Sequence, residues 1–121
     1  MTNFPTHFRD ANYGLTEYDG SPVQWRVSIY GIVIRDQKLL VIKSSEENYF
    51  DIPGGGVELG EALPDALKRE GIEEAGHELR AIRPVWTESD WFYHNGENAF
   101  YRSLQIYWLA ESVAELEKPT D

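Results

Sequence analysis

One segment of the chain has the pattern of an α-helix, and runs of strand-forming residues lie before and after it. The helical segment covers residues 61–75, with an apolar stripe made of Leu63, Ala66 and Leu67. Pro64 suits the first turn of a helix, and Gly76 suits the left-handed residue that ends one. Strands on both sides of one central helix predict an α/β domain with a mixed sheet.

The predicted strands are β-branched and aromatic runs separated by turn signals. Two apolar runs, residues 27–34 and 39–42, enclose the polar residues 35–38, which predicts a hairpin of strands buried on both faces. A short strand over 49–52 ends at Pro53 and the three glycines 54–56. Further strands are predicted over 78–86, with an edge or bulge at Pro84, and on both sides of Asn95-Gly96, over 90–94 and 99–110. Residues 113–117 are predicted to begin a helix.

The length of the chain, 121 residues, fits a single domain, since domains run to roughly 100–200 residues. Residues 1–25 are polar and rich in turn formers, and we interpret them as an N-terminal arm. Residues 26–121 form the predicted main domain. Four aromatic residues can attach the arm to that domain: Phe4, Phe8, Tyr13 and Tyr18.

The charge balance narrows the classes of function. The chain carries 11 basic and 21 acidic residues, a formal net charge of −10, which argues against general nucleic-acid binding and against adsorption to an anionic membrane. It has no cysteine, which excludes a thiolate nucleophile and Cys-ligated metal sites. No apolar run approaches the roughly 18 residues of a membrane span, and no secretory signal pattern is present. We therefore expect a soluble, cytoplasmic protein.

Three glutamates lie together on the predicted helix. Glu70, Glu73 and Glu74 stand at positions i, i+3 and i+4, which share one arc of a helix surface. Like charges at this spacing destabilise a helix, and clustered carboxylates suit a hard divalent cation such as Mg²⁺. The alternative, an acidic face exposed to solvent, stays open on this observation alone.

Two neighbouring features point to the same segment. The glycines 54–56 precede the helix, and glycine lets the backbone approach a ligand or metal closely, although taken alone a tight turn explains them better. Arg69 can pair with Glu73 across one turn or with Glu61 at the helix start, and so orient a carboxylate. The alternative for Arg69 is an ordinary surface ion pair.

Taken together, residues 55–77 closely resemble the Nudix box, whose pattern is G-x5-E-x7-R-E-U-x-E-E-x-G-U with U aliphatic. All seven fixed positions are filled at the required spacing by Gly55, Glu61, Arg69, Glu70, Glu73, Glu74 and Gly76. Gly71 and His77 depart from the pattern, because they stand where the family usually has aliphatic residues. The order of the flanking strands extends the resemblance loosely over residues 26–110.

The resemblance implies a metal centre and a fold. In the family, the residues matching Glu70, Glu73 and Glu74 bind Mg²⁺ or Mn²⁺, often with the backbone carbonyl that matches Gly54. The residues matching Gly55, Glu61, Arg69 and Gly76 hold the loop–helix–loop in shape. The implied fold is a Nudix-type α/β/α sandwich around a mixed sheet.

The implied reaction is hydrolysis of the pyrophosphate bond of a nucleoside diphosphate linked to another group. The expected substrate is a small nucleotide such as a nucleoside triphosphate. Divalent ions can reverse the repulsion between this acidic protein and a polyanionic substrate. We expect Glu73 or Glu74 to act as general base; a family-type acid outside the box would lie near or beyond residues 111–117.

Other candidate residues rest on weaker signals. Lys43 stands where family members often place a phosphate-contacting base, although an exposed strand-end lysine explains it better. Five aromatic residues can stack on a nucleobase but more often serve packing: Tyr49, Phe50, Trp91, Phe92 and Tyr93. His77 and His94 lack the partners that a metal site or catalytic triad needs.

Two other functions stay open. One is a non-catalytic Nudix domain that senses a nucleotide, although an intact set of acids is unnecessary for sensing. The other is an RNA 5′-end pyrophosphohydrolase, which the acidic balance disfavours. Only residues 111–121 remain to cover the far side of the sheet, which leaves three alternatives: a pared-down fold, dimerisation over that face, or a chain that is a fragment. If that face is bare, we predict an exposed apolar patch and a homodimer.

Overall fold

The computed structural model describes residues 3–43 and 50–116 and contains a mixed sheet beside one helix, as predicted. The helix, α1, covers Leu63–Ala75. The nine strands are β1 His7–Asp10, β2 Leu15–Glu17, β3 Val23–Arg35, β4 Lys38–Leu39, β5 Ile42–Lys43, β6 Phe50–Asp51, β7 Gly54–Gly56, β8 His77–His94 and β9 Ala99–Glu115.

Seven strands form the main sheet in the order β2-β1-β8-β9-β3-β4, with β7 paired to β3. β1 runs parallel to β8 and β3 runs parallel to β9, while the other pairs of this sheet are antiparallel. β5 and β6 make a separate two-stranded sheet. Parallel strands need a crossover connection, and α1 lies on the path that leads from β3 to β9.

The two predicted hairpins are confirmed. Asp36 and Gln37 have φ values of 52° and 64° and link the paired residues Arg35 and Lys38, as the two-residue turns favoured in hairpins require. The long hairpin of β8 and β9 turns at residues 95–98, where Asn95-Gly96 predicts it. Its register shifts between Pro84 and Trp86 confirm the bulge expected at the proline, which cannot donate a ladder hydrogen bond.

Helix α1 begins and ends close to the predicted positions. Pro64 lies in its first turn, and Gly76 caps it with a φ of 70° while donating its N–H to the Ile72 carbonyl at 3.1 Å. One face of α1 packs on the sheet. The core consists of Ile29, Val33, Ala66, Leu67, Leu79 and Ala110, all at most 4% exposed.

Two predictions of local structure are wrong. Residues 113–115 continue strand β9, because they pair with the first residues of β8 and do not begin a helix. The apolar run 39–42 is divided between the two-residue strands β4 and β5 and does not form one continuous strand. Leu39 and Val41 are exposed rather than buried on both faces. Short apolar runs cannot by themselves distinguish a buried strand from an edge.

The predicted N-terminal arm contains two strands of the main sheet. β1 pairs with β2 and, through Arg9 and Asp10, with β8. Phe8 is fully buried and lies within 5.5 Å, between ring centroids, of Tyr18, Trp91 and Phe100. Aromatic packing therefore attaches this segment, while a domain boundary near residue 25 stays a prediction.

Apolar side chains are exposed on the long strands. They include Ile34, Ile82, Val85, Trp86 and Val113, each at least 42% exposed. Such residues are compatible with a homodimer, which stays a prediction. In the described residues, no helix is both long and apolar enough to cross a membrane.

Candidate metal and phosphate site

The glycine strand β7 pairs with β3 along one edge and turns its other edge toward helix α1, where Arg69 and Glu74 contact it. The Gly31 N–H donates to the Pro53 carbonyl and the Val57 N–H to the Val27 carbonyl, both at 2.9 Å. In this register, Gly54 opposes Tyr30 as a non-hydrogen-bonded pair, so its N–H and carbonyl point away from β3. A Cβ atom on Gly54 would lie 2.1 Å from the Ile29 carbonyl oxygen, which explains why a glycine stands there.

Glu70 lies directly under this strand. Its side chain projects from α1 and is about 10% exposed. A Cβ atom on Gly55 would lie only 2.8 Å from the Glu70 carboxylate, so the missing side chain of Gly55 makes room for that carboxylate. The Arg69 Nη1 group donates to Glu70 Oε1 at 3.0 Å and fixes its orientation.

Arg69 connects the loop, the helix and the glycine strand. Its Nε and Nη2 groups donate to the two oxygens of Glu61 at 2.7 and 2.9 Å, and Nη2 also donates to the Gly56 carbonyl at 3.0 Å. The Arg69 guanidinium and the Glu58 N–H hold the pKa of Glu61 at about 2. Arg69 Nη1 also lies 3.3 Å from Glu73 Oε2, so both ion pairs considered from the sequence are present.

Glu74 forms a carboxyl pair with Glu70. Partial burial, the charge of Glu70 and a hydrogen bond between the two side chains raise the pKa of Glu74 to about 7, while a hydrogen bond from the Gly54 N–H opposes this rise. The side chain of Glu73 is 58% exposed and directed to Arg69. The structure therefore brings Glu70 and Glu74 together beside Gly54 and places Glu73 at their edge.

The donor set of this pair fits a hard divalent cation. Mg²⁺ uses one or two protein carboxylates and takes its other ligands from water and substrate phosphates. Two carboxyl groups forced together, with a raised pKa, form a site that a cation would stabilise. Among the described residues, no group of three or more acidic or histidine side chains is positioned to hold a metal ion. For Glu73 to become a third ligand beside Glu70 and Glu74, its side chain would have to move away from Arg69.

Sequence reasoning missed two residues beside this pair. The charge of Asp51 contributes to the raised pKa of both Glu74 and Tyr30. Burial is the largest cause of the raised pKa of Tyr30, whose ring stacks on Tyr107 at 5.3 Å between centroids. Neither residue belongs to a local motif: Tyr30 reaches the site because β3 pairs with β7, and Asp51 ends strand β6, shortly before β7 in the chain.

A cavity of about 200 Å³ lies on the sheet face opposite α1 and borders Gly55 and Gly56. Two arginines, Arg9 and Arg26, line it together with Phe92. Of the four described aromatic residues that were considered for base stacking, Phe92 is the one that lines this cavity. Sequence analysis singled out neither arginine, because no spacing links β1, β3 and β7.

The other predicted aromatic residues lie elsewhere. Trp91 packs against Phe4 and Phe8, and Tyr93 packs against Phe100, so both serve the structural role that the sequence also allowed. Phe50 is 66% exposed, and Tyr49 lies outside the described residues.

The predicted basic residues are also placed. Lys43 is exposed on β5 and lines a cavity of about 350 Å³ together with Glu74 and His77. His77 Nδ1 lies 2.7 Å from Ser112 Oγ, and His94 Nδ1 accepts the Glu97 N–H at 3.1 Å. Of the acids in residues 111–117, Glu115 lines the same cavity as Lys43, while residue 117 lies outside the described residues.

Comparison with known proteins supports the predicted resemblance. Residues 24–121 match the profile of the family described as NUDIX domain. An ADP-ribose pyrophosphatase of Methanocaldococcus jannaschii is 42% identical over 69 residues, which are 53% of this chain and 41% of that protein. Nudix hydrolase 18, mitochondrial, of Arabidopsis thaliana is 29% identical over 96 residues, which are 78% of this chain and 53% of that protein.

Solved structures show the same fold. The crystal structure of an ADP-ribose pyrophosphatase from Streptococcus suis superposes with a TM-score of 0.62 at 16% identity, covering 79% of this chain and 66% of that one. The likeness confirms the predicted fold class. The chain spans about half or less of the length of the curated relatives named above.

Proposed function

Because the chain belongs to the NUDIX domain family, we propose that it is a Mg²⁺-dependent pyrophosphohydrolase that cleaves a nucleoside diphosphate linked to another group. The observation that carries this proposal is the Glu70–Glu74 carboxyl pair, which lies beside Gly54 and Gly55 of the glycine strand. The proposed substrate is a small nucleotide such as a nucleoside triphosphate, and Mn²⁺ is a possible substitute for Mg²⁺.

Each residue of the site has a separate part in this proposal. Glu70 and Glu74 would hold the cation, with the Gly54 carbonyl at the same strand edge and Glu73 joining from the next turn of the helix. When bound, the ion would offset the negative charge of the anhydride and polarise its phosphoryl oxygens. Arg69 keeps Glu70 in place by binding Glu61 and the Gly56 carbonyl at the same time.

The general base is proposed among the same acids. A base must reach the attacking water, so exposure to solvent matters together with position. Glu73 and Glu74 both reach solvent, whereas Glu70 is buried under Gly55. This difference supports the expectation that Glu73 or Glu74 accepts the proton while Glu70 serves as a ligand.

A substrate screen tests the proposal directly. Purified protein is expected to release phosphate or pyrophosphate from at least one member of a panel containing nucleoside triphosphates, ADP-ribose and a 5′-triphosphorylated RNA, with Mg²⁺ present. ADP-ribose belongs in the panel because two of the compared proteins carry its name. Turnover of the RNA alone would favour the RNA 5′-end reaction instead.

The same screen distinguishes the proposed metal-dependent hydrolase from the alternative functions. Release that continues in EDTA at an undiminished rate would contradict the metal-dependent mechanism. Tight nucleotide binding without turnover of any panel member would instead support the nucleotide-sensing alternative.

The carboxyl pair also predicts how stability depends on pH. Because the folded-state pKa of Glu74, about 7, lies above its ordinary value of 4.5, the stability from this group is fully present below pH 4.5 and is lost as the pH rises through 7. Screening of this solvent-exposed side chain limits the loss to about 1 kcal/mol. Urea unfolding in EDTA is therefore expected to give a lower free energy of unfolding at pH 8 than at pH 5.

The Glu74→Gln variant is the matched control for this effect. It removes the titrating group, so its free energy of unfolding in EDTA should fall less between pH 5 and pH 8. Mg²⁺ should stabilise the wild-type protein at pH 8 because a ligand that binds only the folded state adds to stability. An identical pH profile for the wild type and the variant would show that Glu74 does not carry the effect.

A further inference from the structure

The cavity beside β7 lies over an unusually polar part of the sheet. Side chains alternate between the two faces of a strand, and Ile29 and Val33 face the core under α1, so Arg26, Ser28 and Tyr30 face the other side. Ser28 and Ser103 are 5% and 4% exposed although they lie on the central strands β3 and β9. A sheet face that packs on protein is normally apolar, so these small polar residues form the floor of a polar cavity.

Arg26 is one of two arginines that line this cavity. Its side chain is half-buried, and it makes no ion pair with any described residue in a chain whose net charge is −10. Its guanidinium lies 5.8 Å from the centre of the Tyr101 ring. Arg26 Nη2 also lies 3.9 Å from the place of a Cβ atom on Gly56, so the guanidinium reaches the glycine strand. An arginine without a carboxylate partner in an acidic protein is suited to an anionic ligand.

Arg9 approaches the same cavity from β1, a strand that lies outside the matched region 24–121. Its Nε donates to Asp90 Oδ2 at 2.7 Å, and its guanidinium lies 4.6 Å from the centre of the Phe92 ring. These two contacts fix the guanidinium while using only one of its nitrogen atoms. Arg9 therefore offers a second, positioned donor group to an anion in the cavity.

Hydroxyl and amide groups complete the lining. Gln105 Nε2 donates to Ser103 Oγ at 2.8 Å and to Asp90 Oδ1 at 3.3 Å. The amide of Gln105 is thereby oriented by its neighbours, and its carbonyl oxygen can accept from a ligand hydroxyl. The Ser28 hydroxyl donates to the Tyr30 side chain and keeps its oxygen lone pairs for a second ligand hydroxyl. This combination of cations and neutral donors suits a ligand that carries both a phosphate and sugar hydroxyls.

The cavity is connected to the carboxyl pair through the glycine strand. Gly55 and Gly56 line the cavity, and the Glu70 carboxylate lies beside Gly55 on the other side. No side chain of β7 separates the two places, because all three of its residues are glycines. A substrate whose anhydride lies at Glu70 and Glu74 can therefore extend across β7 toward Arg26.

We propose that this cavity binds the phosphorylated ribose of the substrate, with Arg26 and Arg9 contacting the phosphate and Ser28 and Gln105 contacting the sugar hydroxyls. Its volume of about 200 Å³ lies below the roughly 300–1,000 Å³ of pockets that enclose whole small molecules, which fits a part of a nucleotide. The position of the anhydride rests on the proposed function, whereas binding of a ribose phosphate does not.

Ribose 5-phosphate is the probe that tests this assignment without turnover. Backbone NMR spectra in EDTA are expected to show shifts for residues around Ser28 and Gln105 when ribose 5-phosphate is added. Ribose should bind much more weakly, and inorganic phosphate should bind less tightly than ribose 5-phosphate. Absence of shifts in the cavity would overturn the proposal, and equal affinity for inorganic phosphate would overturn the assignment of the sugar.

Variants of Arg26 locate the phosphate contact. Arg26→Gln is expected to weaken binding of ribose 5-phosphate at least about tenfold, the loss for one charge-assisted hydrogen bond, and Arg26→Lys should retain part of the affinity. Arg83→Gln is the matched control, because Arg83 is an exposed arginine of β8 that does not line the cavity. Unchanged affinity in a folded Arg26→Gln protein, checked by circular dichroism, would overturn the proposal. If Arg26→Gln does not fold, Arg9→Gln takes its place.

The same proteins distinguish this inference from the proposed function. An inactive wild-type protein that binds ribose 5-phosphate would contradict the hydrolase and leave the cavity assignment intact. An active wild-type protein whose KM is unchanged in Arg26→Gln would support the hydrolase and contradict the cavity assignment.

Discussion

Replacing Glu70 or Glu74 by glutamine is expected to lower kcat for the substrate found in the screen by about 10²–10⁴-fold. A cation held by these carboxylates would supply several kcal/mol of transition-state stabilisation, and each 1.36 kcal/mol corresponds to a tenfold change in rate. Glutamine keeps the volume of the side chain and one oxygen but removes the charge that holds the ion. Steady-state kinetics at saturating substrate and several Mg²⁺ concentrations measure the effect.

The structure provides controls for this loss of activity. Glu17→Gln makes the same chemical change on the exposed strand β2 and should leave kcat unchanged. Glu74→Gln should also be at least as stable as the wild type in EDTA at pH 8, because it removes one of two carboxyl groups that oppose each other. A Glu74→Gln protein with full Mg²⁺-dependent activity would refute the assignment of Glu74 to the site.

Glu73→Gln separates ligand and base roles. If Glu73 is the general base, this variant should lose activity to a similar extent while keeping the Mg²⁺-dependent rise in stability. If Glu73 serves only as a partner of Arg69, kcat should change little, because the pair joins an exposed side chain at 3.3 Å.

The second large effect is expected for Gly71→Ala, which should lower the free energy of unfolding by up to about 2 kcal/mol, the cost of overpacking less the gain in helix propensity. Alanine normally stabilises a helix by about 1 kcal/mol relative to glycine. Here its methyl group would lie 2.6 Å from Leu79 Cγ and 2.8 Å from the His77 carbonyl oxygen. Leu79 is 2% exposed and belongs to the core, so the clash cannot be relieved by a small movement, and overpacking typically costs about 1–3 kcal/mol.

Chemical denaturation of Gly71→Ala beside Gly60→Ala tests this prediction. A Cβ atom on Gly60 would meet nothing within 4 Å, so the control should be neutral or slightly stabilising. Because Gly71 adjoins Glu70, a displaced helix should also reduce activity. A Gly71→Ala protein more stable than the wild type would mean that helix propensity outweighs the packing of Leu79.

The contact at Gly71 also explains the two departures from the family pattern. The absence of a side chain at Gly71 leaves space, and Leu79, the third residue of strand β8, fills it. His77 turns its ring to Ser112 rather than into the core. The aliphatic packing that the pattern usually places in the helix is therefore supplied here by a residue after it.

Much of the site could be predicted because its signals are local. The spacing of Glu70 and Glu74 along one helix sets their proximity, and Arg69 reaches Glu61 within the same loop–helix segment. The glycines of β7 were predictable as a place of close backbone approach, although not as a strand paired with β3. The helix predicted over 113–117 failed because pairing with β8 outweighs the weak propensity of a short segment.

Asp51, Arg26 and Arg9 could not be found in this way. Arg9 and Arg26 lie on strands that the order of the main sheet brings to one cavity, and Asp51 lies on β6 in the separate two-stranded sheet. The separation of these residues in sequence carries no period or motif. The acidic composition gave no indication of a cavity lined by arginines, because a net charge describes the whole chain and not the distribution of charge on its surface.

The sequence by itself determined the helix, its caps and the spacing of the acids, since hydrogen bonds and side-chain periodicity within one helix depend on neighbours three and four residues away. Only the tertiary structure decided that the missing side chain of Gly55 makes room for the Glu70 carboxylate, that the Gly54 N–H meets Glu74, and that two arginines face the glycine strand. Those arrangements depend on which strands pair and in what register, and a register is fixed by the burial of the whole sheet rather than by any single segment.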